Sequence, residues 1–145
     1  MSDANIERLA ENSIIAWLQN TAQHGVTVTG ANFYNGDGNG DLALPFVAVK
    51  CQRRKECIHD SGVWELGADV HFHSQADDTT IAAEQANWGA ICAILSCSPL
   101  APNLSTTGFH CHGAVRDQAG QHGYTDRSFV KTYSMTLFAM GMTGP

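Results

Sequence analysis

The sequence predicts an α+β domain built on a mostly antiparallel, curved sheet with two helices packed on one face. Three observations lead there. Residues Val63 to His73 read Val-Trp-Glu-Leu-Gly-Ala-Asp-Val-His-Phe-His, with Trp64, Leu66, Ala68, Val70 and Phe72 on one parity and Glu65, Gly67, Asp69, His71 and His73 on the other. Side chains alternate across a strand, so this is a long strand with one apolar and one polar face. Two segments of helical apolar spacing, near the start of the chain and after this strand, can cover the apolar face. The remaining β-rich stretches follow one another through turn-like joins, the pattern of an antiparallel sheet rather than of βαβ units.

The elements follow in order. Asn5 to Gln23 is the first predicted helix, with Ile6, Leu9, Ala10, Ile14, Trp17 and Leu18 on one face. Ser2 or Asp3 can cap it, Glu7 suits its positive end, and His24-Gly25 supplies the stop. Val26 to Thr29 reads as a short strand. Residues 30–44 are Gly-, Asn- and Asp-rich and predict a flexible loop or hairpin tip. Phe46 to Cys51 reads as a second strand and Arg53 to Gly62 as a polar turn.

After the 63–73 strand, Asp77, Asp78 and Thr79 offer caps to a helix running to Cys97. Ile81, Trp88, Cys92 and Leu95 recur along it at helical spacing. Ala82, Ala86, Gly89, Ala90 and Ala93 suggest a slim helix lying close against a sheet, and Ser98-Pro99 ends it. Thr106 to Arg116 alternates again, with Phe109, Cys111, Gly113 and Val115 opposite His110, His112 and Ala114. Asp117 to Tyr124 reads as a turn that includes His122. Arg127 to Met140 is the last strand, and residues 141–145 read as a loose tail. The predicted order is α-β-β-β-α-β-β, in one domain spanning residues 1–145.

Composition narrows the function classes. A chain of 145 residues buries roughly 68–70% of its unfolded surface, enough for a core without disulfides or a structural metal. Charged residues are 15% of the total, below the usual ~25%, which favours contacts between subunits. The net charge of −6 argues against nonspecific nucleic-acid binding, which depends on Lys and Arg neutralising phosphates. The one basic run, Lys50 to Lys55, is followed by Glu56 and reads as a solvated strand end or loop. No apolar stretch approaches the ~20 residues a membrane span needs. The first residues carry no basic region leading into an apolar core, so no secretory signal is expected. Five cysteines without a secreted-scaffold spacing predict reduced thiols in a cytosolic setting.

Little points to catalysis. There is no Gly-x-Ser-x-Gly elbow and no Gly-x-x-x-x-Gly-Lys phosphate loop. Cys111 lies between two histidines, but neighbours on a strand point to opposite faces, which makes it a core thiol. Cys51-x5-Cys57-x-His59 does not have a zinc-finger spacing. Asp37, Asn39 and Asp41 echo a calcium loop without its downstream Glu. Two His-x-His pairs, His71/His73 and His110/His112, remain. If their strands are neighbours, four imidazoles converge on the polar face as ligands for zinc, copper, iron or nickel. Otherwise they are histidines on a half-exposed sheet face. The site expectation is thus no catalytic, cofactor or metal residue, with a small metal-binding protein or metalloenzyme using the four histidines as the alternative.

The element order resembles the tail terminator, or tail-completion and head–tail joining, proteins of long-tailed bacteriophages. The likeness rests on the Asn5–Gln23 helix, the Gly30–Leu44 loop, the Val63–His73 strand and the Asp77–Cys97 helix. It closes with the final strand, Arg127-Ser-Phe-Val-Lys-Thr-Tyr-Ser-Met-Thr-Leu137. The resemblance implies a non-enzymatic structural protein without cofactors. Such a protein forms a ring, commonly of six subunits, that docks on the tail tube, stops its growth and presents a surface to the head connector or neck. It implies assembly in the host cytoplasm, residence in the virion, and no membrane or specific nucleic-acid binding. An acidic lumen would let DNA slide through, and an unpaired strand edge is a ready pairing surface between subunits.

Overall fold

A computed structural model describes residues 5–36, 44–57, 61–75, 81–96, 100–106, 108–124 and 129–141, with the backbone alone for 81 and 118–124. Helices α1 (Ile6–Leu18) and α2 (Thr21–His24) precede strands β1 (Asn32–Asn35), β2 (Phe46–Glu56) and β3 (Trp64–Ser74). Helices α3 (Ile81–Leu95) and α4 (Ala101–Leu104) follow, then strands β4 (Phe109–Tyr124) and β5 (Phe129–Gly141). The strands form one open sheet in the order β1-β2-β3-β5-β4. Every pairing is antiparallel except β1 with β2. The class is α+β, as predicted.

Alternation along β3 sets up the two faces. Leu66, Ala68, Val70 and Phe72 are buried and meet Val47, Val49 and Cys51 of β2 and Tyr133, Met135, Leu137 and Ala139 of β5 on the same side. Ile6, Ala10, Ile14, Trp17 and Leu18 of α1 and Ile91, Ile94 and Leu95 of α3 close the core from above. Each large side chain withdrawn from water contributes ~1.5–3 kcal/mol. The small residues of α3 do not fulfil the expected role, because Ala82, Ala86, Gly89 and Ala93 are exposed and a Cβ at Gly89 would meet nothing within 4 Å.

The first helix ends at Leu18, five residues before its predicted limit. Asn20 leaves helical geometry at φ −85°, ψ 61°, and the single turn of α2 ends at Gly25, whose φ of 74° is the left-handed stop foreseen for the longer helix. His24 stabilises the break. Its Nδ1 accepts the Val26 N–H at 3.1 Å, so Nε2 carries the proton and donates at 2.8 Å to the Trp17 carbonyl, which also accepts the Asn20 N–H at 3.1 Å. The predicted caps Ser2 and Asp3 lie outside the described residues. Asn5 precedes the helix in left-handed geometry without a side-chain cap bond.

Pairing departs from prediction where backbone partners outweigh side-chain pattern. Residues 26–29 join no ladder, and the strand forms instead at Asn32–Asn35, inside the expected loop. There Phe33 packs against the core and Tyr34 meets the Phe46 ring edge-on at 5.7 Å. Residues 37–43 of that loop lie outside the described residues. Strand β2 continues through the predicted turn to Glu56 because β3 offers a backbone partner as far as Trp64. Strand β4 likewise runs through Asp117–Tyr124, so the predicted turn containing His122 is backbone-paired, His122 with Lys131. Gly141, assigned to the tail, closes β5 opposite Phe109; residues 142–145 lie outside the described residues. The helix α4 was not foreseen; it buries Leu104.

Where β1 stops, α1 covers the edge of β2. The buried Glu11 carboxylate accepts the Cys51 N–H at 2.9 Å, and Glu7 pairs with Arg53 at 3.1 Å. A second side chain stands in for a strand at residues 26–29: the buried Asn87 of α3 accepts the Thr29 N–H and donates to the Thr29 carbonyl, both at 2.9 Å. Among the described residues no helix is long and apolar enough to cross a membrane.

Candidate functional site

The sheet face opposite the helices carries the polar chemistry of the chain. Glu65, Gly67, Asp69, His71 and His73 line it along β3, as the alternation required. Directly opposite on β5 stand Phe138, Thr136, Ser134, Thr132 and Val130. The central rows are bonded across the strands. Thr132 Oγ1 shares a hydrogen bond with His71 Nδ1 at 2.9 Å, and Ser134 donates to Asp69 at 2.7 Å. Such cross-strand pairs contribute ~0.2–1 kcal/mol each and hold the register.

The Gly67 row is built differently. A bulge between Arg53 and Lys55 sends Arg54 from β2 across β3. Its guanidinium lies directly on Gly67, where a Cβ would come within 2.7 Å of Nη2. Nη1 donates to Thr136 Oγ1 at 3.0 Å, and Thr136 donates onward to Asp117 at 2.7 Å. Glu65 and Asp117 lie 3.8 and 4.0 Å from the guanidinium. One side chain thus ties together four adjacent strands. Beside it the missing side chain of Gly67 leaves a depression of about 150 Å³ lined by Lys50, Gln52, Arg54, Gly67, Asp69 and His71. The basic run Lys50–Lys55 is therefore part of a strand, and Arg54 is a structural cross-link. The sequence clue to this was Gly67, since an isolated glycine within a strand pattern marks a close approach.

At the β1 end of the face, Phe46 is sandwiched between Tyr34 and His73, stacking on the latter at 4.2 Å. Burial, aided by His71, lowers the His73 pKa from its usual 6.5. Half-buried in this stack, His73 favours its neutral form.

The two His-x-His pairs do not meet. Strand β5 lies between β3 and β4. His71 is opposite Thr132 and His110 is opposite Met140, eight residues further along β5. At ~3.3 Å per residue the pairs are some 26 Å apart along the strands alone. The condition for four converging imidazoles is therefore absent, and no group of three or more His, Cys, Asp or Glu suited to a metal occurs among the described residues. Within each pair the ring centres are 6.4 Å apart for His71/His73 and 4.4 Å for His110/His112.

A bulge at His112 corrects the reading of this strand. Cys111 and Gly113 face the consecutive residues Ala139 and Phe138, which leaves His112 as the extra residue and inverts the alternation beyond it. Ala114 consequently packs on the core, whereas Val115, assigned to the apolar face, is 54% exposed opposite Thr136. Cys111 is buried as expected. Burial pushes its thiol up to about 11, so it holds no thiolate near neutral pH. Burial likewise raises Cys51 and Cys92. Cys51, Cys57, Cys92 and Cys111 are free thiols. Cys97, His59 and the calcium-like Asp37, Asn39 and Asp41 lie outside the described residues.

The fold and this face define an α+β protein with a polar sheet surface whose central groups are bonded to one another. Neither a protein-family model nor a curated protein sequence matches the chain.

Proposed function

We propose that this chain is a structural protein of a long-tailed bacteriophage, of the tail terminator or head–tail joining class. In this reading it forms a homo-oligomeric ring, six subunits being the expected number. The ring caps the tail-tube protein and meets the head connector or neck protein. It acts in the virion after assembly in the host cytoplasm, without catalysis or cofactor.

The observation that carries the reading is the free edge of β4. Ser105 covers its start by accepting the Cys111 N–H at 3.0 Å. From Gly113 onward no described strand lies on that side. A long unpaired edge is a template for another chain, and isolated proteins usually shorten, charge or cover such edges. Here the exposed Val115 lies near its start, followed by the exposed Arg116 and Asp117. The mutual bonding of the polar face fits a scaffold better than a reactive centre, and the net charge of −6 suits a lumen through which DNA passes.

The test is tube termination. The tail-tube protein encoded in the same genome is allowed to polymerise with and without this chain, and tube lengths and ends are measured by electron microscopy. Shortened tubes bearing a ring at one end are expected, with Val115→Lys weakening the effect by placing a charge on the edge. An unchanged length distribution and bare ends would refute the proposal.

A further inference from the structure

We propose that the depression beside Gly67 binds a small oxyanion that still carries a proton, of the hydrogen-phosphate type. The inference is independent of the assembly reading. It rests on the size of the depression, on the groups that line it, and on the bulge and the glycine that build it.

Size bounds the ligand. The depression holds about 150 Å³. At ~30 Å³ per water that is room for roughly five waters. It suits a compact ion and falls short of the ~300–1,000 Å³ of sites for drug-sized molecules. A side chain at position 67 would run into Arg54, with a Cβ 2.7 Å from Nη2 and 2.8 Å from Nε. The Nε–Nη2 edge of a guanidinium can hold an oxyanion through two parallel hydrogen bonds, and in Arg54 this edge is the part nearest to Gly67. Nη1 is engaged by Thr136 at 3.0 Å. Glu65 and Asp117 stay 3.8 and 4.0 Å from the guanidinium, beyond hydrogen-bonding distance, and Asp117 accepts from Thr136 instead.

Charge sets the ligand class. In a chain of net charge −6 the lining is cationic, with Lys50 and Arg54 against Asp69. Lys50, Asp69 and His71 are half-buried, where charges act more strongly than in bulk water. Two cations call for an anion, and Asp69 refines the choice. Its Oδ1 accepts from Ser134 at 2.7 Å, and the carboxylate has a second oxygen. A carboxylate repels a fully ionised oxyanion but accepts a hydrogen bond from one that keeps a hydroxyl. Hydrogen phosphate supplies P–O⁻ to Arg54 and Lys50 and P–OH to Asp69. Sulfate near neutral pH has no hydroxyl to give. His71 Nδ1 is bonded to Thr132, so Nε2 is the ring nitrogen it can offer a ligand.

The full-length protein is titrated calorimetrically with inorganic phosphate in chloride buffer near neutral pH. Saturable binding of one phosphate per chain is expected. Sulfate should bind roughly tenfold or more weakly, the equivalent of one charge-assisted hydrogen bond. Dimethyl phosphate, which stands for a nucleic-acid backbone and has no P–OH, should not compete. Lys50→Gln should weaken phosphate binding by roughly tenfold. Lys131→Gln removes the same charge from the other face, where Lys131 lies opposite the buried Phe72, and should bind as the wild type does. Asp69→Asn should erase the discrimination against sulfate, because an amide can donate to it. Circular dichroism checks that each variant folds. Absence of saturable phosphate binding, equal affinity for sulfate, competition by dimethyl phosphate, or equal losses in Lys50→Gln and Lys131→Gln would each overturn the proposal.

Discussion

Asn87→Ala should destabilise the protein by about 2–3 kcal/mol. The Asn87 side chain is 6% exposed, and its two hydrogen bonds hold both backbone groups of Thr29. A neutral hydrogen bond contributes ~1 kcal/mol net, and leaving a buried partner unsatisfied adds to the loss. Two such bonds give about 2 kcal/mol, and the vacated volume raises the figure toward 3. For a domain of this size each kcal/mol moves the melting temperature by ~2–4 °C, so a fall of about 4–12 °C is expected. Asn87→Asp discriminates the mechanism. It preserves the volume and the acceptor but turns a carboxylate oxygen toward the Thr29 carbonyl, so it should cost at least as much as alanine. Urea unfolding followed by tryptophan fluorescence measures both. An aspartate variant as stable as wild type would refute the claim that this amide replaces a strand partner.

Three further outcomes follow from the same face and its supports. Gly67→Ala should change stability by less than ~1 kcal/mol, because displacing the half-exposed Arg54 offsets the ~0.5–1 kcal/mol gained by replacing a strand glycine. In an Arg54→Ala background the same change should stabilise by that amount, and a double-mutant cycle without coupling would disprove the contact. Glu11→Ala leaves the buried Cys51 N–H without an acceptor and should cost ~1–3 kcal/mol; Glu11→Gln keeps an acceptor and should cost less, as urea midpoints will report. For His73 the folded pKa lies below the unfolded 6.5, so the unfolded chain binds more protons between the two values. Its contribution is complete above pH 6.5 and is lost as pH falls toward the folded value. His73→Gln should therefore flatten the decline of the urea midpoint between pH 7.5 and 5.5, and an unaltered slope would remove His73 as its source.

What was legible in the sequence was local. Helical spacing from Ile6 to Leu18 and alternation through β3 report which side of each element meets apolar neighbours, and Ile6, Ala10, Ile14, Trp17 and Leu18 of α1 and Leu66, Ala68, Val70 and Phe72 of β3 are buried accordingly. The class, the polar face with Glu65, Asp69, His71 and His73, and the core position of Cys111 came from periodicity alone. It failed where a segment's conformation is decided by its partner. Asn32–Asn35 and Asp117–Tyr124 have weak strand character but lie beside backbone with free hydrogen-bonding groups, and they join the ladder.

The candidate sites depended on the tertiary structure in the same way. Interposing β5 between β3 and β4 separates the two histidine pairs, and no spacing within either strand encodes that order. A single extra residue at His112 turns Val115 outward, and a bulge between Arg53 and Lys55 brings Arg54 over Gly67. Side-chain period is a property of one strand and is written in its residues. Strand order, register and bulges arise from hydrogen bonds between segments far apart in the chain, so they exist only once the sheet has closed.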